Sequence, residues 1–513
     1  MKRNLKNLIV LMLDAYKLFH KDMYPKNTVL VYSNATARSG KHRGDRNQGY
    51  VVVAGTQRLV RKLKDEFQDF FDTKWDTLEP FLKEQLNSFT GIDYSIEHLK
   101  ELHTLGYLPM VIKGLPEGSK CPYGVPYMTM YNTLPQFYWL TNYLETYMSC
   151  EIWNVVTATT TSHQYYQLLS KHAMKTVGNT DFVPIQGHDF AMRGHNGSEA
   201  AAMVGLGHLM GGFIGGDTVP AYLDAQYYYD TGVNDWTNFP KGIVSTSVPA
   251  TEHSVQCAHF NPEDGNELAY LDHILNLFPT GIVSIVCDGY DFWKFLTEVL
   301  PQRKEQILAR NGKVVIRPDS GDPVDIICGI GSSPRMGVDS FDKLTDLGKG
   351  LRKYGDCDIS LHEYKGAVEI LHDIFGGTTT EKGYKLLDEH IGLIYGDSIT
   401  LDIADETCNR LEAKGFASIN WVAGIGSFTY QHVTRDTDGQ AFKATYIELE
   451  VLVTGRHFDK TTIIGKEIFK DPKTGDGLKK SAKGLLSVHR DLERAGTPLF
   501  LKNQQNWEEE KLG

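Results

Sequence analysis

The stretch Val314-Val315-Ile316-Arg317-Pro318-Asp319-Ser320-Gly321-Asp322-Pro323 decides the fold class. It opens on an unbroken apolar run, the pattern of a strand buried on both faces. Pro318 stiffens the exit from that strand, and Gly321 permits close backbone approach. Such a strand delivers Arg317 and Asp319 to its carboxyl end. There an Arg can clamp an anion bidentately and an Asp can hold a Mg2+-bound water. An Arg–Asp pair that only braces a turn would look the same, so this stretch alone does not decide the chemistry.

The pattern recurs on both sides. Upstream, Phe182–Ile185 precedes HDFAMRG, GGFIGG precedes Asp217, GIVS (242–245) precedes TSVPATEHS, and TGIVSIVC (280–287) precedes DGYD. Downstream, IGLIY (391–395) precedes GDS, and ASINWVA (417–423) precedes GIGS. Helix-like runs separate these units. Continuous apolar strands joined by helices predict a parallel α/β sheet covered on both faces. So many units favour a barrel over an open doubly wound sheet. The segments after the strands hold His188, Asp189, Arg193, Asp217, Ser247, His253, Asp288, Arg317, Asp319 and Asp397. Helix capping or a tight turn explains any one of them. Taken together, at the strand ends where ligands bind in α/β folds, they argue for a polar site.

Composition narrows the function. The 513 residues are 41% hydrophobic and 23% charged, with 26 Tyr, 23 Phe and 7 Trp, which excludes disorder as the dominant state. The net charge of −11 argues against a general nucleic-acid binder but leaves room for a small anionic ligand. Seven scattered Cys without a CxxC pair point to a reducing, cytoplasmic setting. The N-terminal apolar run Leu8–Leu13 ends at Asp14, too short for a signal peptide, and reads as a buried strand or a first helical turn. No stretch approaches a membrane span. The P-loop, the GxGxxG turn, the GxSxG elbow and HExxH are all missing, which lowers P-loop ATP hydrolysis and Rossmann redox chemistry.

The flanks read differently from the middle. Residues 25–60, 105–132 and 440–490 show alternating runs such as FKATYIELEVLV, which predict antiparallel strands in one smaller domain built from both chain ends. Residues 56–104 and 133–175 read as helices. This divides the chain into 1–178, a barrel over 179–428 with an insert near 325–380, and a returning segment 429–513. Two further motifs carry chemistry. In His188-Asp189-Phe190-Ala191-Met192-Arg193-Gly194, an aromatic and an Arg in one loop could stack on a flat ring and bind an anion. Tyr395-Gly396-Asp397-Ser398 with Ala423-Gly424-Ile425-Gly426-Ser427 could cradle a phosphate with backbone N–H groups. Tight turns and a core Phe are the plain alternatives.

The ordered set HDFAMRG, GGDTVPA, STSVPATEHS, IVCDGYD, IRPDSGDP, YGDS and GIGSFTYQHVTRD resembles the nicotinamide phosphoribosyltransferases, of the type II phosphoribosyltransferase family. LMLDAYKLFHKDMYPKNTVLVYS, VIKGLPEGSKCPYGVPYMTMYNTLPQFYWLTNYLET and KKSAKGLLSVHRD extend the resemblance over nearly the whole chain. It implies an irregular βα barrel with a β-rich domain built from both chain ends, working as a homodimer with shared active sites. The implied reaction joins nicotinamide to 5-phosphoribosyl 1-pyrophosphate (PRPP), a step of NAD salvage. Phe190 and the partner copy's Tyr16 would sandwich the pyridine ring, Asp217 would accept from the carboxamide, and Ser247 and Arg317 would line that pocket. Arg193, His253 and Arg317 would face the pyrophosphate, and Asp288 and Asp319 would hold Mg2+. Gly396, Asp397 and Gly426 would hold the 5-phosphate region, with Arg38, Arg435, Lys443 and Lys470 adding positive charge. The histidine that ATP can phosphorylate falls on His253.

Three departures from the family's pattern stand out. Ser427-Phe428 replaces part of a glycine run, Ala441 replaces a serine, and SSPRMGVDSFDKLTD lengthens the stretch between Asp322 and Tyr384, expected as a surface loop or small helical insert. The competing readings are a nicotinate phosphoribosyltransferase and a non-catalytic, ligand-sensing or signalling protein on the same fold. Asp217 favours the amide, since its carboxylate would repel that of nicotinate. Intact Arg193, Asp217, Asp319 and Asp397 argue against a dead site.

Overall fold

The computed structural model describes residues 3–263, 265, 267–334, 340–396, 398–454, 459–474, 480–490, 499–504 and 507–512. The chain forms two compact units, one of residues 161–223 and 231–432, the other of residues 1–160, 224–230 and 433–513.

The first of these is the α/β unit. Six short strands form a sheet in the order Gly215–Gly216, Gly187–Asp189, Val422–Ile425, Ile391–Tyr395, Val314–Arg317, Val283–Val286. Every pairing is parallel, for example Ile391 with Val314 and Ala423 with Gly187. One irregular segment meets both sheet edges. Gly215 bridges Thr246, Ala250 bridges Ser284, and the Ser284 N–H donates to the Pro249 carbonyl at 2.8 Å. The ring of strands therefore closes as an irregular barrel. The apolar runs behave as a doubly covered sheet requires: Val283, Ile285, Val314, Ile316, Ile391 and Leu393 are all buried. Helix Ser198–Met210 is buried along Ala201–His208, as expected of a helix apolar on all sides.

Two local expectations change. Phe182–Ile185, read as a strand, belongs instead to a helical turn over Val183–Gln186, and the strand starts at Gly187. Pro184 explains this, because its missing N–H is costly in a sheet but harmless in a first helical turn. The insert is not a loop or helix alone. It includes an antiparallel meander of Thr345–Gly348, Leu351–Tyr354 and Cys357–Ser360, whose small core is Leu344 and Ile359 packed by Phe341, Tyr354 and Tyr364.

The second unit is β-rich and is built from both chain ends. Its five-stranded sheet runs Asp459–Glu467, Ala441–Thr454, Thr28–Thr36, Pro126–Asn132, Met110–Gly114, all antiparallel. The early strand Thr28–Thr36 thus pairs directly with a strand more than 400 residues later. Leu8–Leu13 contributes a 3-10 turn, Ile9–Leu11, packed in the core with Leu59, Leu63, Phe67 and Phe70 of helix Thr56–Asp72. Among the described residues no helix is long and apolar enough to cross a membrane.

Asp438 anchors one end of this sheet. It is fully buried and accepts from Arg43 Nε at 2.5 Å and Nη2 at 2.7 Å, from the Tyr123 hydroxyl at 2.9 Å and from Thr157 Oγ1 at 3.1 Å. Its carbonyl takes the Arg38 N–H at 3.0 Å, and Arg38 Nε donates to the next carbonyl, Gly439, at 2.8 Å. Removing one partner of a buried ion pair strands the other charge, at a cost of about 3–5 kcal/mol. Asp438→Ala is therefore expected to lower unfolding free energy by roughly that much in denaturant titration. A change within about 0.5 kcal/mol, the scale of a neutral surface substitution, would contradict the anchor role.

Candidate active site

The carboxyl ends of the barrel strands bring the α/β unit's polar residues together. Strand Gly187–Asp189 alternates its faces. Asp189 is buried, accepts from Thr218 Oγ1 at 2.7 Å and from the Ala191 N–H at 2.8 Å, and its carbonyl takes the Asp217 N–H at 2.9 Å. The Phe190 N–H donates to the Ile425 carbonyl at 3.0 Å. These bonds fix the loops that carry Phe190 and Asp217. Asp217 Oδ1 then accepts from His188 Nε2 at 2.9 Å and from Ser247 Oγ at 2.5 Å. The His188 ring lies against Phe190, centroids 4.5 Å apart. Burial pushes the Asp217 carboxyl up, but the bonds from His188 and Ser247 and the Arg317 charge outweigh it and hold it below the usual carboxylate range. Asp217 is therefore ionised at neutral pH and is a ready acceptor for an N–H.

A second cluster lies at the neighbouring strand ends. Asp288 Oδ1 meets His253 Nε2 at 3.1 Å, and Oδ2 takes the backbone N–H of Asp319 at 2.8 Å. Burial again raises this carboxyl, while the Asp319 N–H, Ser320 and His253 pull it lower overall. Arg317 donates from Nη2 to the Thr251 carbonyl at 2.6 Å, and its Nε is buried with no partner among the described residues. The Arg317 charge also acts on Asp217, so the two clusters share one electrostatic field. Gly396 is required by packing, since a Cβ there would lie 1.7 Å from Asp319 Oδ1.

Gly426 immediately precedes the short helix Ser427–Gln431. Ser427, the departure from the glycine run, sits against Gly194, where a Cβ would lie 2.0 Å from its Oγ. His195 Nδ1 and Gln431 Oε1 are 2.9 Å apart, so the Phe190–Arg193 loop and the Gly426 loop touch twice. Arg193 is exposed in the turn Met192–Gly194. Asp397 lies outside the described residues.

The remaining expected residues belong to the β-rich unit. The charges of Arg38 and Lys470 bear on Lys443, and so does that of a residue that the sequence reading missed, Lys17. Burial pushes the Lys443 ammonium down, and the Arg38, Lys17 and Lys470 charges push the same way against Glu145. Lys17 is itself buried and pairs with Glu145 at 3.0 Å. Such a cluster of like charges suits a polyanion. Only its burial and its ion pair with Glu145, 128 residues later, distinguish Lys17 from the other lysines of the N-terminal segment, so no local signal marks it. Arg435 is exposed and pairs with Asp436 at 3.1 Å. Tyr16 is 56% exposed, with its ring edge-on to His20.

The pH dependence follows from Asp288. Its folded pKa is depressed, so its stabilisation is full above the unfolded carboxylate range and is lost as pH falls through the lower folded value. Asp288→Asn should destabilise the chain by about 1–3 kcal/mol at pH 7. That difference should shrink below about pH 4, the ordinary carboxylate range. Thermal unfolding of both proteins across this range checks it; a pH-independent difference would contradict an ionised Asp288.

Comparison with known proteins places the chain in a family. A model of the nicotinate phosphoribosyltransferase (NAPRTase) family matches residues 185–493. A protein of Acinetobacter baylyi named nicotinamide phosphoribosyltransferase is 42% identical over 98% of this chain and 91% of its own. One of the same name from Mycoplasma pneumoniae is 32% identical over 87% of this chain and 90% of its own. The crystal structure of nicotinate-nucleotide pyrophosphorylase from Pyrococcus furiosus has the same fold, with a TM-score of 0.50 at 11% identity, covering 97% of this chain and 84% of that one. The family model spans more than half of the sequence and the relatives span most of it, so this chain belongs to the nicotinate phosphoribosyltransferase family, among the proteins named nicotinamide phosphoribosyltransferase.

Proposed function

We propose that this chain transfers 5-phosphoribosyl from PRPP to the pyridine nitrogen of nicotinamide, giving nicotinamide mononucleotide and pyrophosphate. The observation that carries the substrate choice is the ionised Asp217, whose Oδ1 is taken by His188 and Ser247. Its Oδ2 can accept an amide N–H but would repel the carboxylate of nicotinate. Phe190 supplies a ring face beside it for the flat heterocycle.

The pyridine nitrogen attacks the anomeric carbon while pyrophosphate departs, and positive charge builds on that carbon and the ring oxygen. No protein nucleophile is needed. The chain must hold two substrates in line and neutralise a leaving polyanion. Arg317, with its buried Nε, and Arg193 suit the pyrophosphate, and the loops at Gly396 and Gly426, the latter opening the helix Ser427–Gln431, would offer backbone N–H groups to the ribose phosphate. Asp397 would join them there.

Among the described residues no three His, Cys, Asp or Glu cluster as a metal site. Mg2+ does not need one, because it takes one or two carboxylates and completes its shell with water and substrate phosphate. Asp288 and Asp319 offer hard oxygen ligands of that kind, and the Asp319 backbone N–H bond to Asp288 Oδ2 ties their loops together. Bound there, Mg2+ would neutralise charge on the departing pyrophosphate. His253 would be the site of phosphorylation by ATP, and with Nε2 turned to Asp288 its Nδ1 is the nitrogen left to react.

The reading includes a homodimer with shared sites, in which the partner's Tyr16 completes the ring sandwich and Arg38, Arg435, Lys443 and Lys470 serve the phosphates. The exposed Tyr16 ring and the crowded lysine cluster support it. All seven cysteines are free, which supports a reducing cytoplasmic setting.

Pyrophosphate release with PRPP, Mg2+ and each of nicotinamide, nicotinate and quinolinate tests the substrate. Nicotinamide should lead, and Asp217→Ser should weaken its use by about 10–100-fold while admitting nicotinate. Equal turnover of amide and acid by the unmutated chain would refute the assignment. Mixing inactive Tyr16→Ala and Asp217→Ala chains should restore turnover; confirmed mixed dimers without activity would refute the shared site.

A further inference from the structure

We propose that His188 sets the preference for amide over acid as a positioning residue, acting through both Asp217 and Phe190. The inference rests on the function proposed above and names what enforces its specificity.

His188 is the middle residue of its strand and is paired on both sides with glycine, Gly215 and Gly424. Gly424 is packed against the Tyr395–Gly396 backbone, while Gly215, without a Cβ, leaves room for the imidazole. At Gly215 that space is already filled, since a Cβ there would lie 2.9 Å from His188 Nδ1. The ring thus lies against the Gly215 backbone, with its side chain only 12% exposed against 42% for Asp217.

From this position one ring makes two contacts. A carboxylate only accepts, so the 2.9 Å contact places the proton on His188 Nε2, donating to Asp217 Oδ1. Ser247 donates to the same oxygen. With Oδ1 saturated, the carboxylate is locked in rotation and presents Oδ2 as its acceptor. The same imidazole packs on Phe190 at 4.5 Å. One side chain therefore touches both the stacking ring and the amide acceptor, whose loops the Asp189 and Ile425 bonds already hold. An aromatic amide matches that spacing and donates to Oδ2. The corresponding acid is isosteric but has no proton to donate at neutral pH, so it meets a carboxylate that cannot turn away.

Two substitutions separate the contacts. His188→Phe keeps a ring against Phe190 and removes the donor; His188→Gln keeps an N–H donor and removes the ring. Steady-state kinetics with nicotinamide and with nicotinate, at saturating PRPP, are the readout. His188→Phe should raise the nicotinamide KM by about tenfold or more, with kcat within about threefold, and should lower the nicotinamide-to-nicotinate ratio of kcat/KM by about tenfold. His188→Gln should restore most of the nicotinamide KM. Ser247→Ala, which removes the other donor to Oδ1, should move the ratio in the same direction and keeps the test decisive if His188→Phe does not fold. An unchanged ratio in the folded variants would overturn the inference, and so would a loss confined to kcat. Wild-type turnover beside such variants leaves the proposed function standing; a wild-type chain without turnover overturns both.

Discussion

A carboxylate kept charged inside a partly closed site is the constraint on which the rest depends. Asp217 loses hydration where it sits, and that loss alone would favour its neutral form. Two hydrogen bonds to one oxygen and the charge of Arg317 reverse the balance. The arrangement needs His188, Ser247 and Arg317 at fixed positions, and these come from the middle of one strand, the irregular bridging segment and the end of another strand. The barrel is what supplies that fixity. Its strands are very short, and one pair of edges is joined only through the irregular segment at Thr246–Ala250. Ser247 lies within that segment and His253 a few residues beyond it, so the stretch that bridges the two edges also carries the second donor to Asp217.

The second cluster shows the same economy. The Asp319 N–H is a backbone group just past a strand, and it binds the carboxylate that follows the neighbouring strand. A bond of this kind sets the spacing of two loops without using a side chain on one of them. Gly396, just past the next strand, lies against the Asp319 carboxylate, which occupies the space a Cβ would take. The site is thus built largely from backbone geometry, with a few charged groups inserted where an anion and a flat amide would meet them.

Much of this was legible in the sequence because buried parallel strands are written as continuous apolar runs. IGLIY matches its strand residue for residue, and VVI with Arg317 forms the next. The alternating runs at both chain ends likewise read correctly as one antiparallel domain. The misreadings have local causes. Phe182–Ile185 has strand composition, but Pro184 removes a ladder donor, and a short apolar run does not distinguish a strand from a helical turn. The insert alternates too weakly to show its meander before its small core is seen. Within the site, residue types at strand ends could be read, while partnerships could not. His188 stood out only as a polar residue after an apolar run. Its bond to Asp217 spans 29 residues and depends on the strand order, which no local pattern encodes. Lys17 was invisible for the same reason.

The central claim is that one pocket of this chain grips a flat aromatic amide by Phe190 and Asp217 beside an anion held near Arg317. A crystal structure of the protein with nicotinamide and a non-reactive PRPP analogue tests it most directly. The account predicts the pyridine ring on Phe190, the carboxamide nitrogen within hydrogen-bond distance of Asp217 Oδ2, and the analogue's pyrophosphate against Arg317. A ring bound elsewhere, or Phe190 and Asp217 lining separate cavities, would contradict it.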